Sequence, residues 1–93
     1  MKNFSIDKTP LEVQMELGKR FKTFRKQNKY SQAQLAQLSG VSLGSLKRFE
    51  NKGQISLESL LQLSHFFNIL NEFDSVFATE LNLKEIEKLF QKP

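Results

Sequence analysis

The chain has 93 residues, 14 of them basic and 10 acidic for a net charge of +4, with nine phenylalanines and neither cysteine nor tryptophan. That is enough for one domain with a modest core of leucine and phenylalanine, and it excludes disulfide frameworks and thiolate metal sites, which fits a reducing cytosol. The opening MKNFSIDKTP has no continuous apolar run, and no stretch approaches the roughly 18 uncharged apolar residues of a membrane span, so a soluble, cytoplasmic protein without a membrane partner is expected.

Residues 1–9 read as an N-terminal arm. Thr9-Pro10-Leu11-Glu12 then combines capping-box spacing with proline at the first helical position, which predicts a helix from Pro10 to about Asn28. Its apolar stripe is Leu17, Phe21 and Phe24, and Lys19, Lys22, Lys26 and Lys29 lie opposite as a solvated face that adds long-range attraction for anions. Gly18 inside this helix costs about 1 kcal/mol relative to alanine, so it marks either a bend or a close contact.

A second helix is predicted to open at Ser31, whose side chain and that of Gln34 have capping-box spacing. Leu35, Ala36 and Leu38 give it an apolar face with a small residue where another helix must come close. Gly40 supplies the positive φ that ends it. Ser42 caps a third helix, on which Leu46 and Phe49 share one face while Gly44, Ser45, Lys47 and Arg48 point outward. The loop 51–55 has Gly53 for its turn. A fourth helix from Ser56, carrying Leu57, Leu60, Leu61, Ser64 and Phe67, is expected to close over Leu35, Leu46 and Phe49.

Beyond residue 70, Phe73, Val76 and Phe77 fall at helical spacing, and Asn82-Leu83-Lys84-Glu85 reads as a further capped start leading to Ile86, Leu89 and Phe90. Two small amphipathic helices are expected there, with more apolar surface than a small domain covers. Such a patch is buried against another chain or caps the monomer's own core, and self-association is the preferred reading. No segment reads as a strand. The fold class is all-α, a compact bundle of five or six helices.

Charge is segregated along the chain. Residues 19–52 hold nine basic residues and one acid, a balance of +8, whereas the rest holds five basic and nine acidic residues, or −4. A basic block over these helices is the electrostatic footprint of a phosphate-binding surface.

The run SQAQLAQLSGVSLGSLKRFE, residues 31–50, resembles the Cro and phage-repressor type of helix-turn-helix regulator, also called the xenobiotic-response-element family. The resemblance is carried by Gln32 opening the first motif helix, Ala36 at the inter-helix contact, Gly40 followed by Val41, Leu46 and Phe49 as anchors, and Glu50-Asn51 at the end. It spans roughly residues 10–70. Within the family, SLGSLKRFENKGQISLESLLQL is most like the HipB-type antitoxins, whose usual partner is a HipA-like kinase toxin.

The resemblance implies a phage-repressor-like DNA-binding domain at 10–70, followed by a helical extension at 71–93 as a candidate dimerisation element. That element would act through Phe73, Val76, Phe77, Leu83, Ile86 and Phe90. A homodimer would bind palindromic operator DNA with the second motif helix in the major groove and repress its own operon. The competing class is a protein-binding module that mainly neutralises a kinase-like toxin.

Site roles follow on the same footing. Gln32, at a helix start, is suited to a phosphate. Ser42 is a cap and a small donor, and Ser45 either contacts DNA or is idly exposed. Leu43 either meets a thymine methyl or packs inward, and Gly44 permits close approach. Arg48 is the best candidate for a bidentate guanine contact, worth about 1–3 kcal/mol of discrimination. Lys47 suits phosphate. Asn51, Lys52 and Gln54 are loop phosphate contacts or ordinary polar residues. Glu50, the one acid of the basic block, sits where the family pairs it with an arginine, here Arg25, as an architectural ion pair.

Catalysis is not expected. His65 has neither a cysteine nor a second histidine with which to hold zinc, Glu85 and Glu87 diverge on a helix, and no glycine-rich phosphate loop is present. No cofactor or metal is implied.

Overall fold

The computed structural model describes residues 7–80, 85 and 87–89, and among them every regular element is helical. The chain divides between Leu63 and Ser64 into two compact units. The helices are α1 (Pro10–Gln27), α2 (Gln32–Ser39), α3 (Leu43–Lys52) and α4 (Leu57–Phe66), followed by a 3-10 helix at Leu70–Ser75.

Helix ends are set by local chemistry. Thr9 Oγ1 accepts from the Glu12 N–H at 3.1 Å while the Thr9 N–H donates to Glu12 Oε1 at 2.8 Å, and Ser31 and Gln34 form the same reciprocal box at α2. Ser42 and Ser56 cap α3 and α4 by accepting from the N–H groups of Ser45 and Ser59. Gly40 at φ 82° and Gly53 at φ 70° stop α2 and α3 in the left-handed region. Because Gly53 is the stop, Asn51 and Lys52 belong to the last turn of α3 and not to the loop. The end of α1 uses the same device without glycine: Lys29 takes φ 68°, its N–H donates to the Lys26 carbonyl, and that of Tyr30 donates to the Arg25 carbonyl.

The core of the first unit is built from Leu35, Val41, Leu46, Phe49 and Leu63, all buried. Phe21 of α1 lays its ring against Phe49, centroids 5.3 Å apart and planes tilted by 43°. Gly18 is a close contact: a Cβ there would strike the carbonyl oxygen of Phe49, and one on Gly53 would strike the α1 backbone at Gln14 and Met15. These two glycines let α1 and α3 approach backbone to backbone.

Two apolar assignments need correction. Leu38 is 60% exposed, because α2 turns Leu35 and Ser39 inward, four residues apart, and Leu38 falls beyond the edge of that stripe. Leu57 is 67% exposed at the first position of α4, where the helix has not yet met the core, and the buried α4 positions are Leu63 and Ser64. Gln62 ties α4 to the end of α2 by donating to the Ser39 carbonyl at 2.8 Å.

In the second unit the Ile69 N–H donates to the Ser64 carbonyl and the Phe66 and Phe67 rings meet edge to face at 5.1 Å. The α-helix expected around Phe73 is instead the short 3-10 helix. It ends at Ser75, Val76 continues extended at φ −69°, ψ 122°, and Phe77 takes φ 59°. Phe73, Val76 and Phe77 therefore do not share an α-helical face, and the Phe77 side chain is 97% exposed. The expected helical positions Leu83, Ile86 and Phe90, like residues 1–6 of the arm, lie outside the described residues. No helix among the described residues is long and apolar enough to cross a membrane.

Gly18→Ala tests the α1–α3 contact by its sign. Helix propensity alone predicts a gain of about 1 kcal/mol, whereas overpacking costs about 1–3 kcal/mol. The urea midpoint should fall, and a raised midpoint would contradict the close approach.

Candidate nucleic-acid interface

Helix α3 has two chemically distinct faces. Leu46, Phe49 and Glu50 are buried, whereas Gly44, Lys47, Arg48, Asn51 and Lys52 are exposed. Leu43, at 36% exposure, stays at the surface and is not part of the core. An added Cβ on Gly44 would meet nothing within 4 Å, so the glycine there answers no need of the fold.

The two serines at the start of α3 divide their work. Ser42 Oγ accepts from the Ser45 N–H at 3.1 Å and donates to Ser45 Oγ at 2.8 Å, so its one O–H donor is used inside the cap. Ser45 Oγ accepts that hydrogen bond and retains its own O–H as a donor.

This face borders an open concavity of about 600 Å³ lined by Ser42, Gly44, Ser45, Arg48, Gln54, Ile55 and Ser56. Its walls come from the first two turns of α3 and from the return of the chain into α4. The sequence gives no periodic signal for the contribution of Ile55 and Ser56, because it depends on how the loop folds back. Lys19, Lys22, Lys26 and Lys29 are all exposed on and just after α1.

Behind α3 lies a buried polar network. Arg25 grips Glu50 with a fork, Nε to Oε2 at 2.7 Å and Nη2 to Oε1 at 2.8 Å, and both residues are buried. Its third nitrogen, Nη1, donates to the Tyr30 carbonyl at 2.8 Å in the α1–α2 connection. The hydrogen bonds to Glu50 hold the guanidinium above its ordinary pKa; burial opposes them and the carboxylate charge adds to them. Gln32 joins the network by donating from Nε2 to Glu50 Oε1 at 2.9 Å.

The structure thus brings Arg25, Glu50 and Gln32 together, and sets Ser42, Leu43, Gly44, Ser45, Lys47 and Arg48 along the outer side of one helix. Asn51 and Lys52 follow at its far end. The Gln32 amide is committed to Glu50 through one of its N–H bonds, an attachment the spacing of the chain did not reveal. His65 is exposed, and among the described residues no cluster of three or more His, Cys, Asp or Glu is arranged to hold a metal ion.

A helix-turn-helix family model matches residues 21–70, which contains the whole of α2, α3 and α4 and the last turns of α1. No curated protein and no solved structure matches the chain.

Removing either member of the buried pair strands the other charge, so Arg25→Ala and Glu50→Ala should each lower the unfolding free energy by about 3–5 kcal/mol. Urea titration of the singles and the double variant checks this. The double variant should lose clearly less than the sum of the two, and simple additivity would argue against an interacting pair.

Proposed function

This chain belongs to the helix-turn-helix family of the Cro/C1 type, a DNA-binding regulatory family and not an enzyme family, and we propose that it is a sequence-specific transcriptional regulator that binds palindromic double-stranded DNA as a homodimer. The observation that carries the reading is the outer face of α3, which is exposed, small, polar and cationic within a block of net charge +8. It is backed by a core that buries the opposite face.

In this mechanism the basic block neutralises phosphates, and α3 enters the major groove with Leu43 to Arg48 toward the bases. Arg48 reads guanine O6 and N7 with its planar fork. Ser45 offers its outward proton, Leu43 meets a thymine methyl, and Gly44 lets the helix backbone come close. Gln32, Lys47, Asn51 and Lys52 hold phosphates, and Ser42 keeps the helix start in place. With so few polar side chains aimed at bases, DNA shape and backbone contacts carry a large share of selectivity.

Dimerisation is assigned to the C-terminal extension, through Phe73, Val76 and Phe77 together with Leu83, Ile86 and Phe90. The exposure of Val76 and Phe77 supports it. The likeness of residues 42–63 to HipB-type antitoxins supports a finer reading, an autorepressor that also restrains a HipA-like kinase toxin.

Selection from random duplexes followed by titration against salt tests the DNA reading. Affinity for the selected duplex should fall steeply as salt rises. Arg48→Ala should lower the preference for selected over random DNA by about 1–3 kcal/mol, whereas Lys47→Ala should weaken both equally and reduce the salt slope by about one. Equal losses on both duplexes for both variants would contradict the assigned roles.

Sedimentation of the protein with the selected duplex reads the assembly. Two chains are expected on one duplex, with half-sites about 34 Å apart, one helical turn. A single chain at saturation would remove the dimer.

A further inference from the structure

Helix α3 is fastened at both ends, by unlike means. Its last turns are gripped by the Arg25–Glu50 fork, whereas its start follows directly on the tight turn at Ser39, Gly40 and Val41. We propose that Gln62 of α4 is a positioning residue for sequence reading: by holding the Ser39 carbonyl, it sets where the first turn of α3 meets the bases. This inference rests on the DNA-binding reading above and adds to it a residue that lies outside α3.

The Ser39 carbonyl is among the last four of α2, which have no donor within the helix. Gln62 supplies one, from Nε2 at 2.8 Å. Gly40 keeps the way open, because a Cβ there would come within 2.7 Å of that nitrogen. The glycine that stops α2 therefore also admits the amide of α4. On the far side of the turn the Val41 N–H donates to Ser39 Oγ at 3.2 Å, and both residues are buried. Ser39 is thus held through its carbonyl from α4 and through its hydroxyl from the turn itself.

Between Ser39 and Ser42, the cap of α3, only Gly40 and Val41 can absorb a displacement. A shift of Ser39 is passed on to Leu43, Gly44 and Ser45 in the first turn of α3. Arg48 stands further along the helix, two residues from Glu50 and next to the fork. A hydrogen bond weakens steeply once donor and acceptor lose their alignment. Loosening the near end therefore costs the base contacts made there and spares the one made by Arg48. A side chain that merely stabilised the fold would produce no such division along the helix.

The test uses the whole protein with the selected duplex, a random duplex of equal length, and selected duplexes each changed at one base pair. Arg48→Ala first identifies the base pairs that Arg48 reads. Gln62→Met, which removes the donor at similar length, should lower the preference for selected over random DNA about fivefold. That loss should spare the base pairs assigned to Arg48. Gln62→Lys keeps a donor for the Ser39 carbonyl and should restore the wild-type preference; its added charge acts on every duplex alike and cancels from the ratio. The melting temperature of Gln62→Met should stay close to that of the wild type, because residue 62 is exposed and the core is untouched. An unchanged preference, a loss that includes the Arg48 base pairs, a marked fall in melting temperature, or no recovery in Gln62→Lys would each overturn the proposal. A wild-type protein that fails to prefer the selected duplex would sink the DNA-binding reading itself, and this inference with it.

Discussion

The fork between Arg25 and Glu50 is the constraint around which the helix-turn-helix is arranged. It joins the end of α1 to the end of α3, and through Tyr30 and Gln32 it also fastens the α1–α2 connection and the start of α2. A buried ion pair is a poor source of net stability, because desolvation consumes most of what the Coulomb attraction returns. What it supplies is direction. Apolar side chains of similar volume would tolerate a range of crossing angles, whereas a guanidinium held through all three of its nitrogens restricts the arrangement of the groups around it.

The rest of the first unit is consistent with that fixed angle. Gly18 and Gly53 remove side chains where α1 and α3 cross, so the two backbones come close enough for the fork to reach. Leu35, Leu46, Phe49 and Leu63 then fill the space on the inner side, with Phe21 against Phe49. Gly44 differs from these glycines. It faces open space, and helix propensity alone would favour alanine there. A glycine that costs stability where an added methyl group would meet nothing fits a surface shaped for an external partner, in keeping with the proposed close approach to DNA.

Charge and shape act at different ranges on this chain. The lysines of α1 contribute a field that extends over about a Debye length, about 8 Å at physiological salt, and they need no defined geometry to do so. The outer side of α3 works at contact distance, where Ser45 and Arg48 require their orientation to be set beforehand. The second unit carries a separate chemistry, with Val76 and Phe77 exposed beside Glu72, Asp74 and Glu80.

Local signals in the sequence determined the helix starts at Thr9, Ser31, Ser42 and Ser56 and the stops at Gly40 and Gly53, because a cap involves residues only a few positions apart. The burial of Leu46 and Phe49 was legible for the same reason, since helical periodicity is a short-range property. Only the tertiary structure decided that Leu38 and Leu57 face solvent, that Leu63 is the buried apolar side chain of α4, and that Gln62 holds the end of α2. It also decided that Gln32 binds Glu50 and that Ile55 and Ser56 border the candidate interface. Each of these depends on which segment arrives from elsewhere in the chain, and neither periodicity nor capping encodes the position of a neighbour. Around Phe73 the spacing suggested an α-helix, yet the backbone tightens to a 3-10 helix and leaves it at Val76: three apolar residues at helical intervals specify a face only while the helix lasts.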